Sequence, residues 1–348
     1  MALQPGKTNG PATLILLILA CVPLRLFARQ QPTPAAPKAL TPVIDHHQHL
    51  FSPAVGKISP SLPPMNAAQL VKLLDAAGIR RAVVLSLGYQ YGNPNKPLVA
   101  DEYAAVKAED YWTAAQVAPF ADRLRGFCGL NPLKPYALEE IARCAQIPQL
   151  RSGLKLHFGN SDVDLTNADH VKTLQQVFAA ANERRMAIVV HLRSSVTAKR
   201  PYGARSALAF LNDVLPLAPD VPVQIAHLAG SGGFDDPAID EALGVFVDAI
   251  ANRDPRMKNG YFGVSGVIGV EKPTAKLDLI ARRIREIGVD RVLTARTEPS
   301  RLPTRRRRHG RPSGTCRSAR PSSRSSRTTA RPPWTAIAEH NRIESEGQ

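Results

Sequence analysis

The chain has 348 residues, of which 44 % are hydrophobic and 21 % charged, with a formal net charge of +16. This composition excludes a chain that is disordered throughout. The charge is held unevenly, because residues 295–333 carry twelve Arg against one Glu. The remainder is an ordinary, mildly basic body.

From the amino terminus, residues 14–20 form an apolar block after Lys7 and before Arg25. The block is shorter than the roughly 20 residues that span a bilayer. It reads as an export signal over 1–28. Ile18-Leu19-Ala20-Cys21 has the form of a lipoprotein processing site, which would make Cys21 the lipidated first residue; cleavage near Ala28 is the alternative. The expected location is therefore outside the cytoplasm: periplasmic, secreted or lipid-anchored, with no membrane span after processing. Residues 29–41, rich in Gln, Pro and Ala, form a flexible linker.

From 42 to 294 apolar runs alternate with amphipathic stretches. Strands are expected over 43–50, 81–88, 124–131, 152–157, 187–192, 222–229, 259–269 and 290–294. Helices are expected over 66–77, 101–121, 137–148, 168–185, 203–216, 237–252 and 273–287. Asn66 to Gln69 and Thr166 to Asp169 are helix starts. Gly78 and Gly288 sit where helices stop. Eight strands with seven intervening helices predict an α/β fold of the (β/α)8 TIM-barrel type. No Gly-rich nucleotide loop follows the first strand, which disfavours a dinucleotide-binding open sheet.

Cys128 in a strand and Cys144 in a helix read as buried thiols rather than a disulfide. No Cys-x-x-Cys pair occurs, so a cysteine-based zinc site is not expected. Beyond Leu293 the pattern fails. Residues 295–333 contain no Val, Ile, Phe, Tyr or Met and cannot offset their ordering entropy. The eighth helix is therefore expected to be missing, or replaced by a disordered basic tail over 295–348.

Histidines recur at the expected strand ends: His47 and His49 on the first, His157 on the fourth, His191 on the fifth and His227 on the sixth. In a barrel those ends share the face that carries active sites. His47 and His49 alternate along a strand and so face one way. Paired neutral imidazoles suit a divalent ion of zinc type.

Asp45-x-His47-x-His49, Val190-His191-Leu192 and Ala226-His227-Leu228-Ala229-Gly230 together resemble the amidohydrolase superfamily, in its amidohydrolase-2 branch of metal-dependent barrel hydrolases and decarboxylases, over 43–294. The resemblance implies that His47, His49 and His191 ligate one divalent metal ion, Zn2+ being expected. It places His227 beside the metal-bound water or substrate as the catalytic residue. Lys155 is either a carbamylated bridging ligand or, as preferred, an amine that binds a substrate carboxylate or forms a rim salt bridge. His157 joins Lys155 on the substrate side. Arg193 is either a carboxylate clamp or a solvated loop charge. Asp45 is expected to orient the ligands from behind.

Relatives of this type carry an Asp after strand eight, and here none follows Asp290. A one-base shift ahead of the codons for 294–299 permits Tyr-Gly-Thr-Asp-Gly-Ala, so a frameshift is the expected origin of the tail, with the frame restored near 334. The expected activity is metal-dependent hydrolysis of an amide, ester or lactone of a small organic acid, weak in this form of the chain. Decarboxylation at the same site is the alternative. A further alternative is an inactive barrel whose basic tail binds anions. The expected partner is a small-molecule substrate, without nucleic acid; an oligomer is compatible with the sequence.

Overall fold

A computed structural model describes residues 43–234, 237–267 and 274–294. The export signal and linker expected over 1–41 and the tail over 295–348 lie outside them.

Among the described residues eight strands run parallel in the order of the chain: β1 (Ile44–Gln48), β2 (Arg81–Leu85), β3 (Leu124–Gly129), β4 (Gly153–His157), β5 (Ala187–His191), β6 (Val223–Ile225), β7 (Gly260–Gly263) and β8 (Val292–Leu293). The ring closes just past β8. The backbone N–H of His46 donates to the carbonyl of Thr294 at 3.0 Å, and Thr294 Oγ1 donates to the carbonyl of Ile44 at 3.1 Å. The expected (β/α)8 barrel is the architecture found.

The helices are α1 (Pro53–Ile58), α2 (Ala67–Ala76), α3 (Glu102–Val117), α4 (Ala137–Ala145), α5 (Ala168–Glu183), α6 (Ala204–Ala209), α7 (Pro237–Ala251) and α8 (Thr274–Ile287). Asn66 caps α2 in a reciprocal box with Gln69, and Asn167 caps α5 by accepting from Asp169 and His170 N–H. Both satisfy donors that a helix start leaves unpaired. Gly78 and Gly288 take positive φ, 69° and 91°, where α2 and α8 end. A π-type segment, Phe210–Val214, continues α6.

Val83, Leu85, Phe127, Ala187, Val189 and Ala226 fill the barrel interior. A larger shell between strands and helices holds an aromatic cluster in which Phe158, Phe178 and Phe246 each meet Phe210, and Phe246 meets Phe262, with ring centres about 6 Å apart in edge-on contact. A Cβ on Gly153 would lie 2.2 Å from the Phe127 ring, so the start of β4 requires glycine to let that ring cross the barrel floor.

One expectation is corrected. Cys128 and Cys144 are joined as a disulfide rather than left as thiols. Alternation along β3 turns Cys128 outward, opposite to Phe127, and α4 presents Cys144 to it with the Cα atoms 6.1 Å apart. That separation is within a disulfide's span.

Candidate active site

β1 delivers its histidines through an irregularity. Its register against β2 shifts between Asp45 and Gln48, so the segment bulges where it reaches the barrel mouth. Asp45 holds the bulge: Oδ1 accepts from the His47 backbone N–H at 3.0 Å and Oδ2 from Gln48 Nε2 at 2.8 Å. These bonds brace the main chain of His47.

β6 ends early for a related reason. His227, Leu228 and Ala229 all take positive φ, at 57°, 48° and 66°. Three successive non-glycine residues in the left-handed region are strained. They turn the chain away from strand geometry and place the His227 ring at the mouth. Tyr202 Oη donates to the Ala229 carbonyl and helps hold the turn.

The strand ends enclose a cavity of about 200 Å³. His47, His49, Lys155, His157, His191 and His227 all line it, as the sequence anticipates. Phe51, Leu62 and Leu87 form an apolar part of the wall, while Tyr89, Gln90, Asn160, Ser231 and Ser265 add polar atoms that were not singled out from the sequence. These lie on loops or, for Tyr89 and Gln90, on a single 3-10 turn too short to show a period, and only the fold brings them in. Arg193 does not line this cavity. Its guanidinium lies 4.6 Å over the Tyr202 ring, and Nη1 donates to the Ser194 carbonyl at 3.3 Å. Asp45 is likewise not on the cavity wall.

The rings run in sequence round the mouth. Centre-to-centre separations are 5.3 Å for His49 and His47, 4.8 Å for His47 and His227, 5.0 Å for His227 and His191, and 3.7 Å for His191 and His157. An ion about 2.1 Å from each imidazole nitrogen lies about 3.2 Å from each ring centre, so tetrahedral neighbours stand about 5.2 Å apart. The first three separations meet that condition. The stacked His157–His191 pair does not.

Hydrogen bonds set the tautomers. His49 donates from Nδ1 to the Leu85 carbonyl at 2.7 Å, and His227 from Nδ1 to the Ser265 carbonyl at 2.5 Å. Each therefore carries its lone pair on Nε2. His157 Nδ1 instead accepts from the Asn160 N–H at 3.0 Å. His47 Nδ1 is buried with no hydrogen-bond partner among the described residues, an orphan a cation would satisfy.

Burial keeps these rings neutral, which a metal ligand must be. It drives His49 down to about 3, with the Lys155 ammonium adding to the effect. His47 and His157 are lowered well below the usual value by burial first and Lys155 next. His191 is lowered by burial, then by His157 and His227. His47, His49 and His191 thus fit a divalent ion in donor type and protonation, and the His47–His49 pair fits it in ring spacing. Their nitrogens do not all lie within 4.8 Å of one another, so the rings would draw inward around an ion.

No protein-family model and no curated protein matches the chain. Solved structures do. The 5-carboxyvanillate decarboxylase of Sphingomonas paucimobilis aligns with a TM-score of 0.52 at 16 % identity, over 75 % of this chain and 89 % of that one. The 5-carboxyvanillate decarboxylase of Novosphingobium aromaticivorans DSM 12444, complexed with manganese and 4-hydroxy-3-methoxy-5-nitrobenzoic acid, aligns with a TM-score of 0.51 at 15 % identity, over 74 % and 86 %. A 2,6-dihydroxybenzoate decarboxylase complexed with 2,6-dihydroxybenzoate aligns with a TM-score of 0.50 at 16 % identity, over 74 % and 88 %. At these identities the likeness is one of fold.

Proposed function

We propose that the cavity is the active site of a metal-dependent enzyme of the amidohydrolase type, acting on a small carboxylated molecule. One observation carries this reading: four strand-end imidazoles, His47, His49, His191 and His227, ring one buried mouth at spacings of about 5 Å. His47, His49 and His191 would hold one divalent ion, with Zn2+ the expected metal. A bound ion would supply Lewis acidity, lowering the pKa of a coordinated water and polarising a substrate carbonyl.

The chain's own groups do the rest. His227, with its Nδ1 proton committed to Ser265, presents Nε2 as the atom that takes a proton at the reacting centre. The Lys155 ammonium, 1 % exposed, offers a buried positive charge for a substrate carboxylate. Tyr89, whose ring centre is 5.1 Å from that of His157, and Phe51 form walls for a flat substrate. The preferred reaction is hydrolysis of an amide, ester or lactone.

Decarboxylation is the second reading. It is favoured by the activities named for the similar structures, which are decarboxylases, one of them complexed with manganese. It needs the same carboxylate anchor and a proton delivered to carbon. Export of the protein and a frameshifted origin of 295–348 remain proposals that rest on the sequence.

The test is to load the full chain with Zn2+ or Mn2+ and present lactones, amides and carboxylated aromatics. Acid release and CO2 release are followed separately. Turnover that a chelator abolishes and His227→Gln cuts by about 10²-fold or more supports the proposal. Turnover indifferent to chelation and to His191→Ala overturns it.

A further inference from the structure

A second donor cluster lies on the outer side of the strand wall, where β3, α3 and α4 meet. Asp110 Oδ2 is 3.3 Å from Cys128 Sγ and 3.8 Å from Cys144 Sγ, and Glu140 Oε1 is 3.5 Å from Cys144 Sγ. Among the described residues these four form the one group of His, Cys, Asp and Glu whose ligand atoms all lie within 4.8 Å of one another. All four residues are completely buried.

A core built for packing alone gains nothing from this arrangement. Buried carboxyl groups need donors, and a disulfide offers none. Part of the need is met locally. The Gly129 N–H donates to Asp110 Oδ1 at 3.0 Å, Ser86 and Glu140 also hydrogen-bond the Asp110 carboxyl, and Arg143 grips Glu140 while lying 4.3 Å over the Tyr111 ring. Asp110 Oδ2 still faces the two sulfurs. Burial, and Glu140 beside it, hold the Asp110 carboxyl well above the usual carboxylate range.

We propose that Cys128, Cys144, Asp110 and Glu140 form a second metal site, masked by the disulfide in the oxidised chain and opened by reduction, for one thiophilic divalent cation such as Zn2+. Two thiolates and two carboxylates are a tetrahedral donor set for such an ion. The opening step balances as thiol–disulfide exchange. A dithiol supplies two electrons and two protons, the S–S bond breaks, two thiols form and the dithiol becomes a disulfide. Cation binding then releases the two thiol protons, with any proton the two carboxyl groups hold, to solvent. Arg143 supplies further positive charge against the four anionic donors. Because the cluster is closed to solvent, loading proceeds as the reduced chain folds or as the short helix α4 opens.

The test uses the full chain with Cys21→Ser and Cys316→Ser, so that only two thiols remain. It is reduced with a dithiol, freed of it without oxygen, and titrated with Co2+. Thiolate ligation gives a near-ultraviolet sulfur-to-cobalt absorption that imidazole sites do not. The expected result is that band at one equivalent in the reduced chain, its absence in the oxidised chain, and affinity at least about tenfold weaker in Asp110→Asn. The band persists in a His47→Ala, His191→Ala background, which separates this site from the imidazole cavity. A reduced chain that shows two free thiols by thiol assay and no band overturns the proposal. So does equal affinity in Asp110→Asn.

Discussion

At the scale of single residues, the site depends on keeping imidazoles neutral and aiming their lone pairs. His47 is central because its Nδ1 is buried without a partner among the described residues and its backbone is held by Asp45. His47→Ala is predicted to cut the affinity for Zn2+ or Mn2+ by at least about 10²-fold, read by calorimetric titration, with little change in fold by circular dichroism. Asp45→Asn keeps a side chain of the same shape and is predicted to cost less, about tenfold, because it alters a brace rather than a ligand.

A separate residue-scale prediction concerns Glu109, whose Oε2 accepts from Ser52 Oγ at 2.5 Å just beyond β1. Burial raises this carboxyl from its ordinary 4.5 to about 7. Between those values the folded chain holds a proton that the unfolded chain has lost. Its contribution to stability is therefore greatest at acid pH and declines as pH rises toward 7, by at most about 1.4 kcal/mol for each pH step of one. Glu109→Gln is predicted to gain stability relative to the parent as pH is raised from 5 to 8 in urea unfolding. A constant difference across that range would contradict it.

The histidines themselves were legible, because each lies at the end of an apolar run. Arg193 was open between a carboxylate clamp and a solvated loop charge, and the loop turns its guanidinium onto Tyr202. Alternation along a strand says nothing about a side chain once the strand has ended.

At the scale of elements, seven of the helices and all eight strands follow the periodicity of the sequence. The exception is α1, six residues that are too short to show a helical period and are held by Ser52 accepting from the Val55 N–H. β6 was expected through 229 and stops at Ile225, because His227 to Ala229 take left-handed backbone that composition does not announce. The disulfide also escaped the reading, since pairing depends on how α4 packs on β3. The same holds for the Asp110 cluster, whose donors come from three elements and so match no Cys-x-x-Cys spacing.

The packing of the π-type segment that continues α6 carries a direct prediction. Phe210 is fully buried and touches Phe158, Phe178 and Phe246. Phe210→Ala is expected to lose about 3–5 kcal/mol of stability in denaturant unfolding. Asn66→Ala, which removes the cap of α2, is expected to lose about 1 kcal/mol.

At the scale of the whole molecule, barrel closure decides whether the site exists. Among the described residues β1 and β8 meet through Thr294, beside the bulge that carries His47 and His49. The eightfold alternation made the barrel legible, but the joint is three hydrogen bonds between Thr294 and the Ile44–His46 segment and has no sequence signature. It also brings the first and last strands to one rim, so that imidazoles from β1, β5 and the end of β6 face a shared cavity.

The most direct measurement is anomalous diffraction at the manganese edge from crystals of the full chain grown with Mn2+. The account predicts one strong peak in the cavity, bonded at about 2.1–2.2 Å to nitrogens of His47, His49 and His191, with His227 facing it. A cavity without a peak at full Mn2+ occupancy elsewhere, or a peak held by other residues, would contradict it.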